Sequence, residues 1–172
     1  MEKLFSEVSD MITKNKNAHI PDMLLDPLNC QMYDHVRPMK WVDPQAQDGE
    51  TYDMLVIGAG AGGLITSLFS GAYGAKTCLI ERGNFGGDCL VTGCVPSKAF
   101  IKSASVAHQL RTCEEYGIKI KGEIEVDFPA VMERMKKIRT RISANDAAKR
   151  FTERYGLDVF LGHAEFKGKH EV

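Results

Sequence analysis

An α/β fold built around a parallel sheet is the fold class the sequence predicts, and three observations predict it. The run Tyr52-Asp53-Met54-Leu55-Val56-Ile57 is short and apolar, as strands buried in parallel sheets are, and Gly58-Ala59-Gly60-Ala61-Gly62-Gly63 follows it at once. A second apolar run, Thr77-Cys78-Leu79-Ile80, ends on the acid Glu81, 18 residues beyond Gly63. Between and after these runs the apolar residues recur with helical spacing, so strands and helices alternate along the chain.

The first unit reads strand, turn, helix, strand. Tyr52 to Ile57 is the first strand, Leu64 to Tyr73 the helix, with Gly71 and Gly74 loosening its end, and Thr77 to Glu81 the second strand. A further helix is expected from Ala99 to Glu115, broken by Gly117 and Gly122. Phe128, Val131, Met135, Ile138 and Ile142 recur at steps of three and four, which predicts one amphipathic helix from about Phe128 to Tyr155. Its other face carries Lys136, Lys137, Arg139 and Arg141, and reads as the solvated side rather than as a phosphate grip. Asp158 to Gly162 is expected as a third strand, and Ala164 to Val172 as the start of a hairpin around Lys167-Gly168-Lys169.

Two regions divide the 172 residues. Residues 1–50, punctuated by Pro21, Pro27, Pro38 and Pro44, read as an N-terminal extension or arm. It holds a short helix around Lys3 to Ile12 and a compact apolar cluster at Met23 to Leu25. Trp41 either docks on its own domain or plugs a groove on a partner assembly, the first being the commoner fate of such a residue. Residues 51–172 read as one domain, cut short. A hydrophobic share of 44%, a charged share of 26% and a net charge of -1 are those of a soluble globular protein, and exclude binding to nucleic acid or membrane surfaces through bulk charge. No apolar run reaches the length of a membrane span, and Glu2, Lys3, Glu7 and Asp10 do not make a signal peptide. A soluble interior compartment is expected, cytoplasmic or the inside of an organelle such as a mitochondrion or plastid.

The spacing Gly58-x-Gly60-x-x-Gly63 between a buried strand and a helix, with Glu81 closing the next strand, is the pattern of a dinucleotide site. Gly58 permits the tight turn, Gly60 lets backbone amides approach a pyrophosphate, and Gly63 lets the helix pack closely on the strand. The helix N-terminus, with Ala61 and Gly62, offers unpaired N–H groups to the anion. Glu81 is placed to accept hydrogen bonds from ribose hydroxyls. The motif alone leaves open which dinucleotide binds.

The five cysteines are Cys30, Cys78, Cys89, Cys94 and Cys113, too few and too irregular for a secreted disulfide scaffold. Only Cys89 and Cys94 are close, fenced by Gly86, Gly87, Gly93 and Pro96. Five residues of regular helix advance about 7.5 Å, beyond the reach of about 7 Å for a bridge, so a disulfide between them needs a distorted segment, which Gly93 and Pro96 suit. A helix start would lower the thiol pKa, and Lys98, four residues after Cys94, would share its face. Two unlinked thiols or half of a metal site is the alternative, but nothing completes a zinc set and no metal is expected. Cys30, Cys78 and Cys113 read as inert packing residues.

Together, Gly58 to Gly63, Glu81 and Gly86-Gly87-Asp88-Cys89 through Gly93-Cys94-Val95-Pro96-Ser97-Lys98 resemble the N-terminal part of the pyridine nucleotide-disulfide oxidoreductases, such as dihydrolipoamide dehydrogenase, glutathione reductase and mercuric reductase. The Gly-Gly-Asp-Cys form and the lead-in Val36 to Val42 are most similar to the mercuric reductase branch. The resemblance covers about residues 36–172. It implies a Rossmann-like FAD-binding domain with a helical hairpin insertion. FAD would bind at the first glycine motif, along Gly58, Gly60, Ala61, Gly62, Gly63, Glu81, Arg82, Gly87, Asp88 and Lys98. Cys94 would face the flavin, Cys89 would be the interchange thiol, and Lys98 the cation near the ring. Where the family often has Asn, this chain has Val91.

By that resemblance a full enzyme would pass electrons from NAD(P)H through FAD to a Cys89–Cys94 redox disulfide and on to a disulfide or a metal ion. It would work as a homodimer whose second nucleotide site and His-Glu pair lie outside these residues; His163 and His170 do not match that pair. The competing reading is a non-catalytic accessory or scaffold subunit docking through residues 1–50.

Overall fold

The computed structural model describes residues 26–45 and 49–172; the helix expected around Lys3 to Ile12 and the cluster Met23 to Leu25 lie outside the described residues. Three strands, β1 (Met54–Ile57), β2 (Thr77–Ile80) and β3 (Asp158–Phe160), form a parallel sheet in the order β1-β2-β3. Val56 pairs with Leu79 and Leu79 with Val159, so the most apolar positions of all three strands lie in one row. Parallel strands need a crossover, and α2 (Ala61–Ala72) supplies it between β1 and β2.

The core gathers on one side of this sheet. Leu79, Val159, Phe85, Phe151, Leu157 and Leu64 are buried there, with Phe85 and Phe151 tilted ring to ring at 5.9 Å. Each such side chain contributes about 1.5 to 3 kcal/mol by leaving water. Val36 joins the same cluster from α1 (Pro27–Val36), a helix in the stretch expected to be an extension. Its start is written in the sequence: Asp26 accepts from the amides of Leu28 at 2.9 Å and Asn29 at 3.0 Å, and Pro27 occupies the first turn. Residues 26–45 thus pack on the domain. Trp41 does so as well, its indole N–H donating to Val159 O at 3.3 Å.

Past β2 come α3 (Gly87–Val91), α4 (Cys94–Thr112), a 3-10 turn (Cys113–Tyr116), α5 (Phe128–Ser143) and α6 (Ala148–Tyr155). Helices α4 and α5 make the expected hairpin, with Phe100 of α4 stacked on Phe128 at the start of α5 at 6.4 Å. Three expectations are corrected. The single helix from Phe128 to Tyr155 is two helices, because Asn145 and Asp146 turn the chain, their amides bonding Ile142 O and Ser143 O at 2.8 and 3.1 Å. The helix expected from Ala99 starts earlier, at Cys94, since Pro96 sits in its first turn, where a missing N–H costs nothing. The terminal hairpin is a turn without a strand ladder, closed by Lys167 N–H to Glu171 O at 2.9 Å.

Candidate functional site

The glycine turn joins β1 to α2. Gly58 has φ +97°, a left-handed conformation that suits glycine, and its N–H bonds Ile80 O at 2.8 Å across the sheet. Gly63 is where the helix meets the strand: a Cβ there would lie 1.8 Å from Gly58 O. Gly60 differs, since a Cβ would meet nothing within 4 Å. Intrahelical bonding starts with Leu64 N–H to Gly60 O at 2.9 Å, leaving the first-turn amides of the exposed Ala61 and Gly62, and of Gly63, without intrahelical partners.

Glu81 closes the turn from the neighbouring strand. One carboxylate oxygen accepts from the Ala59 amide at 2.6 Å and the other from the Gly83 amide. Each oxygen retains a lone pair, so ribose hydroxyls could still be held. Arg82 is exposed, and its carbonyl accepts from Arg37 at 2.7 Å. The second glycine cluster folds back on the first: Gly86 N–H bonds Ala59 O at 2.8 Å, and Gly87 lies so near that its Cβ would come within 3.0 Å of Gly60 Cα. The two motifs therefore share one crevice. Open space over Gly60, unpaired amides at the start of α2 and an acid at the end of β2 fit a dinucleotide's pyrophosphate and ribose.

Cys89 lies within α3 and Cys94 is the first residue of α4. The distortion expected between them is the break at Thr92 and Gly93, whose amides both turn back to Asp88 O at 3.0 and 2.5 Å. A Cβ on Gly93 would sit 2.8 Å from that same oxygen, so the turn requires glycine. The side chain of Asp88 is exposed. Both residues are free thiols in this structure, on either side of that break. For Cys89 the expected depression of pKa is reversed. The neighbouring Cys94 side chain pushes its thiol above the usual 9.0, partial burial adds to this, and the charge of Lys98 pulls the other way.

Cys94 and Lys98 line one groove of about 380 Å³, one turn apart on α4 as the spacing predicts. Lys102 and Arg134 line it too, and sequence reasoning missed both. Lys102 was discoverable as the next residue along the Lys98 face. Arg134 belongs to α5 and enters only because the hairpin brings it to α4, where it donates to Ala99 O at 3.1 Å. Three basic residues thus line a groove with an exposed cysteine.

The solvated face expected of α5 holds for the exposed Lys137 and Arg141 and fails for Lys136 and Arg139. Arg139 is 5% exposed, donating to Val91 O at 2.8 Å and to Asn29 Oδ1, and Lys136 pairs with Asp26. These residues face α1, which covers that side of the helix. The remaining cysteines stand apart from the site as expected: burial pushes the Cys78 thiol up to about 12 and raises that of Cys30, while buried Cys113 donates to Leu110 O.

Comparison with known proteins agrees with this geometry. A dihydrolipoyl dehydrogenase of Acholeplasma laidlawii is 31% identical over 70% of this chain and 35% of its own length. That of Chlamydia trachomatis is 34% identical over 72% of the chain and 26% of its own, and that of Chlamydia muridarum 44% identical over 49% and 18%. The chain thus spans about a third or less of the length of these relatives. The family model of pyridine nucleotide-disulphide oxidoreductases matches residues 52–172, which hold both glycine motifs, the thiol pair and the helical hairpin, and to that family this chain belongs.

Proposed function

We propose that the chain is the FAD-binding, thiol-bearing part of a flavin-dependent disulfide oxidoreductase. The observation that carries the reading is the pair Cys89 and Cys94, two free thiols on either side of the Thr92-Gly93 break, in a loop whose Gly87 rests on Gly60 of the dinucleotide turn. The family binds FAD and NAD(P)H. FAD would be held by Gly58 to Gly63, Glu81, Arg82, Gly87, Asp88 and Lys98. When bound, the flavin supplies the two-electron chemistry that the thiols lack.

The thiols supply the rest. Cys89 as thiolate attacks a substrate disulfide, forming a mixed disulfide and releasing one thiol. Cys94 then attacks the Cys89 sulfur, releasing the second thiol and closing the Cys89–Cys94 bridge. Two electrons, ultimately from NAD(P)H, reopen it. A soft metal ion is the alternative acceptor, held between the thiolates. Lys98, on the face of Cys94, would stabilise negative charge on that thiolate or on the flavin when bound. Within a full-length enzyme of this family, a homodimer would complete the site.

Purified chain tests this. Flavin absorbance, and two further thiols titrating after mild reduction of the oxidised protein, are expected. A colourless protein that takes up no added FAD, with a thiol count indifferent to reduction, overturns the reading and favours a scaffold role.

A further inference from the structure

The family match begins at residue 52, yet α1, at Pro27–Val36, is tied to the thiol loop. The tie is Arg139. Its Nη1 donates to Val91 O at 2.8 Å and its Nη2 to Asn29 Oδ1 on α1. Val91 ends α3, and the last carbonyls of a helix have no intrahelical partner. A guanidinium is a stronger donor to such a carbonyl than a neutral group. Three residues beyond Val91, across the Thr92-Gly93 break, stands Cys94.

Further links hold α1 along α5: Thr140 Oγ1 donates to Leu28 O at 2.8 Å, and His35 Nδ1 meets Ser143 Oγ at 2.8 Å. At its far end, Val36 O accepts the Phe85 amide at 3.1 Å, just before Gly86. The segment from Phe85 to Val91 is therefore held at both ends by α1, directly at one and through Arg139 at the other. Burying a guanidinium is costly, and the Nε of Arg139 makes no hydrogen bond among the described residues. An apolar side chain would fill the space without that cost, so the residue's distinct contribution is its pair of directed donors.

We infer that Arg139, oriented by Asn29, is a positioning residue for the thiol pair, fixing the path from Val91 to Gly93 and with it the approach of Cys89 to Cys94. This rests on the reading of that pair as the reacting centre. The test uses the full chain, reduced, with iodoacetamide alkylation of Cys89 and Cys94 followed separately by peptide mass spectrometry across pH, beside thermal melting. Loosening the brace lets Cys94 draw away from Cys89, whose thiol its proximity holds above the usual 9.0. Arg139→Met and Asn29→Ala should therefore raise Cys89 alkylation at neutral pH by about three-fold or more and move its pH midpoint down. Asn29→Asp keeps an acceptor for the guanidinium and should return both to parental values.

A purely structural role would lower melting temperature without moving the midpoint, and unchanged alkylation in folded Asn29→Ala overturns the inference. If Arg139→Met fails to fold, the Asn29 pair of variants decides. Equilibration of the parent with oxidised and reduced dithiothreitol separates the two proposals. Absence of a Cys89–Cys94 couple there defeats the functional reading, whereas the alkylation comparison reports on the thiol loop regardless.

Discussion

The carboxylate of Glu81 accepts the amide proton of Ala59 at 2.6 Å, bridging the end of β2 to the middle of the glycine turn after β1. One acid thus shapes the turn proposed to hold FAD. Glu81→Gln places an amide donor against one of two backbone donors. It should cost about 1 to 3 kcal/mol in urea unfolding and weaken FAD retention on gel filtration.

Gly60 and Gly63 should separate folding from binding. Gly63→Ala drives a methyl into Gly58 O, 1.8 Å away, and should destabilise by about 3 kcal/mol or more, seen as loss of soluble protein or a collapsed melting transition. Gly60→Ala meets no protein atom within 4 Å and should melt near the parent while losing flavin absorbance, because its methyl enters the pyrophosphate space. Retained FAD in Gly60→Ala would contradict the placement.

Cys78 gives an alkaline signature. Its thiol, at 9.0 in the unfolded chain, is pushed up to about 12 by burial, with Asp158 and Glu50 adding to the shift. Between those values the folded state keeps a proton that the unfolded state has lost, so stability falls as pH rises through the window. Cys78→Val should flatten the fall in unfolding midpoint above pH 9.0 relative to the parent.

Asp26 acts at the acid end. Burial alone would raise its pKa, but Lys136 and the amides of Asn29 and Leu28 outweigh it and hold the carboxyl below 3.8. Its stabilisation is present above 3.8 and is lost as pH falls through the lowered folded value. Asp26→Ala also removes the cap of α1 and should cost about 1 kcal/mol at neutral pH. The deficit relative to the parent should shrink toward pH 2 in urea titrations.

Local signals carried most of what the sequence disclosed. The β1 turn, β2 and the break between Cys89 and Cys94 each follow from glycines and apolar runs within a few residues of one another, and their placement agreed. The turn at Asn145 was legible too, since polar Asn145 and Lys149 stand where the apolar series ending at Ile142 would continue. What else escaped depends on tertiary contact. Arg139 looked solvated because its partners, Asn29 and Val91, are 110 and 48 residues away. Residues 26–36 looked like an arm because nothing in their own composition announces the face of α5 they cover.

The pairing of α1 with α5 also has a consequence for how the chain acquires its shape. Asn29 and Arg139 are separated by 110 residues, and Leu28 and Thr140 by 112. During synthesis at about 5 to 20 residues per second, α1 emerges several seconds before its partner exists. The βαβ unit and the thiol loop lie wholly within that interval. Closing so long a span is slow relative to local pairing. The brace on the loop therefore forms only after the βαβ unit and the thiol loop have been synthesised.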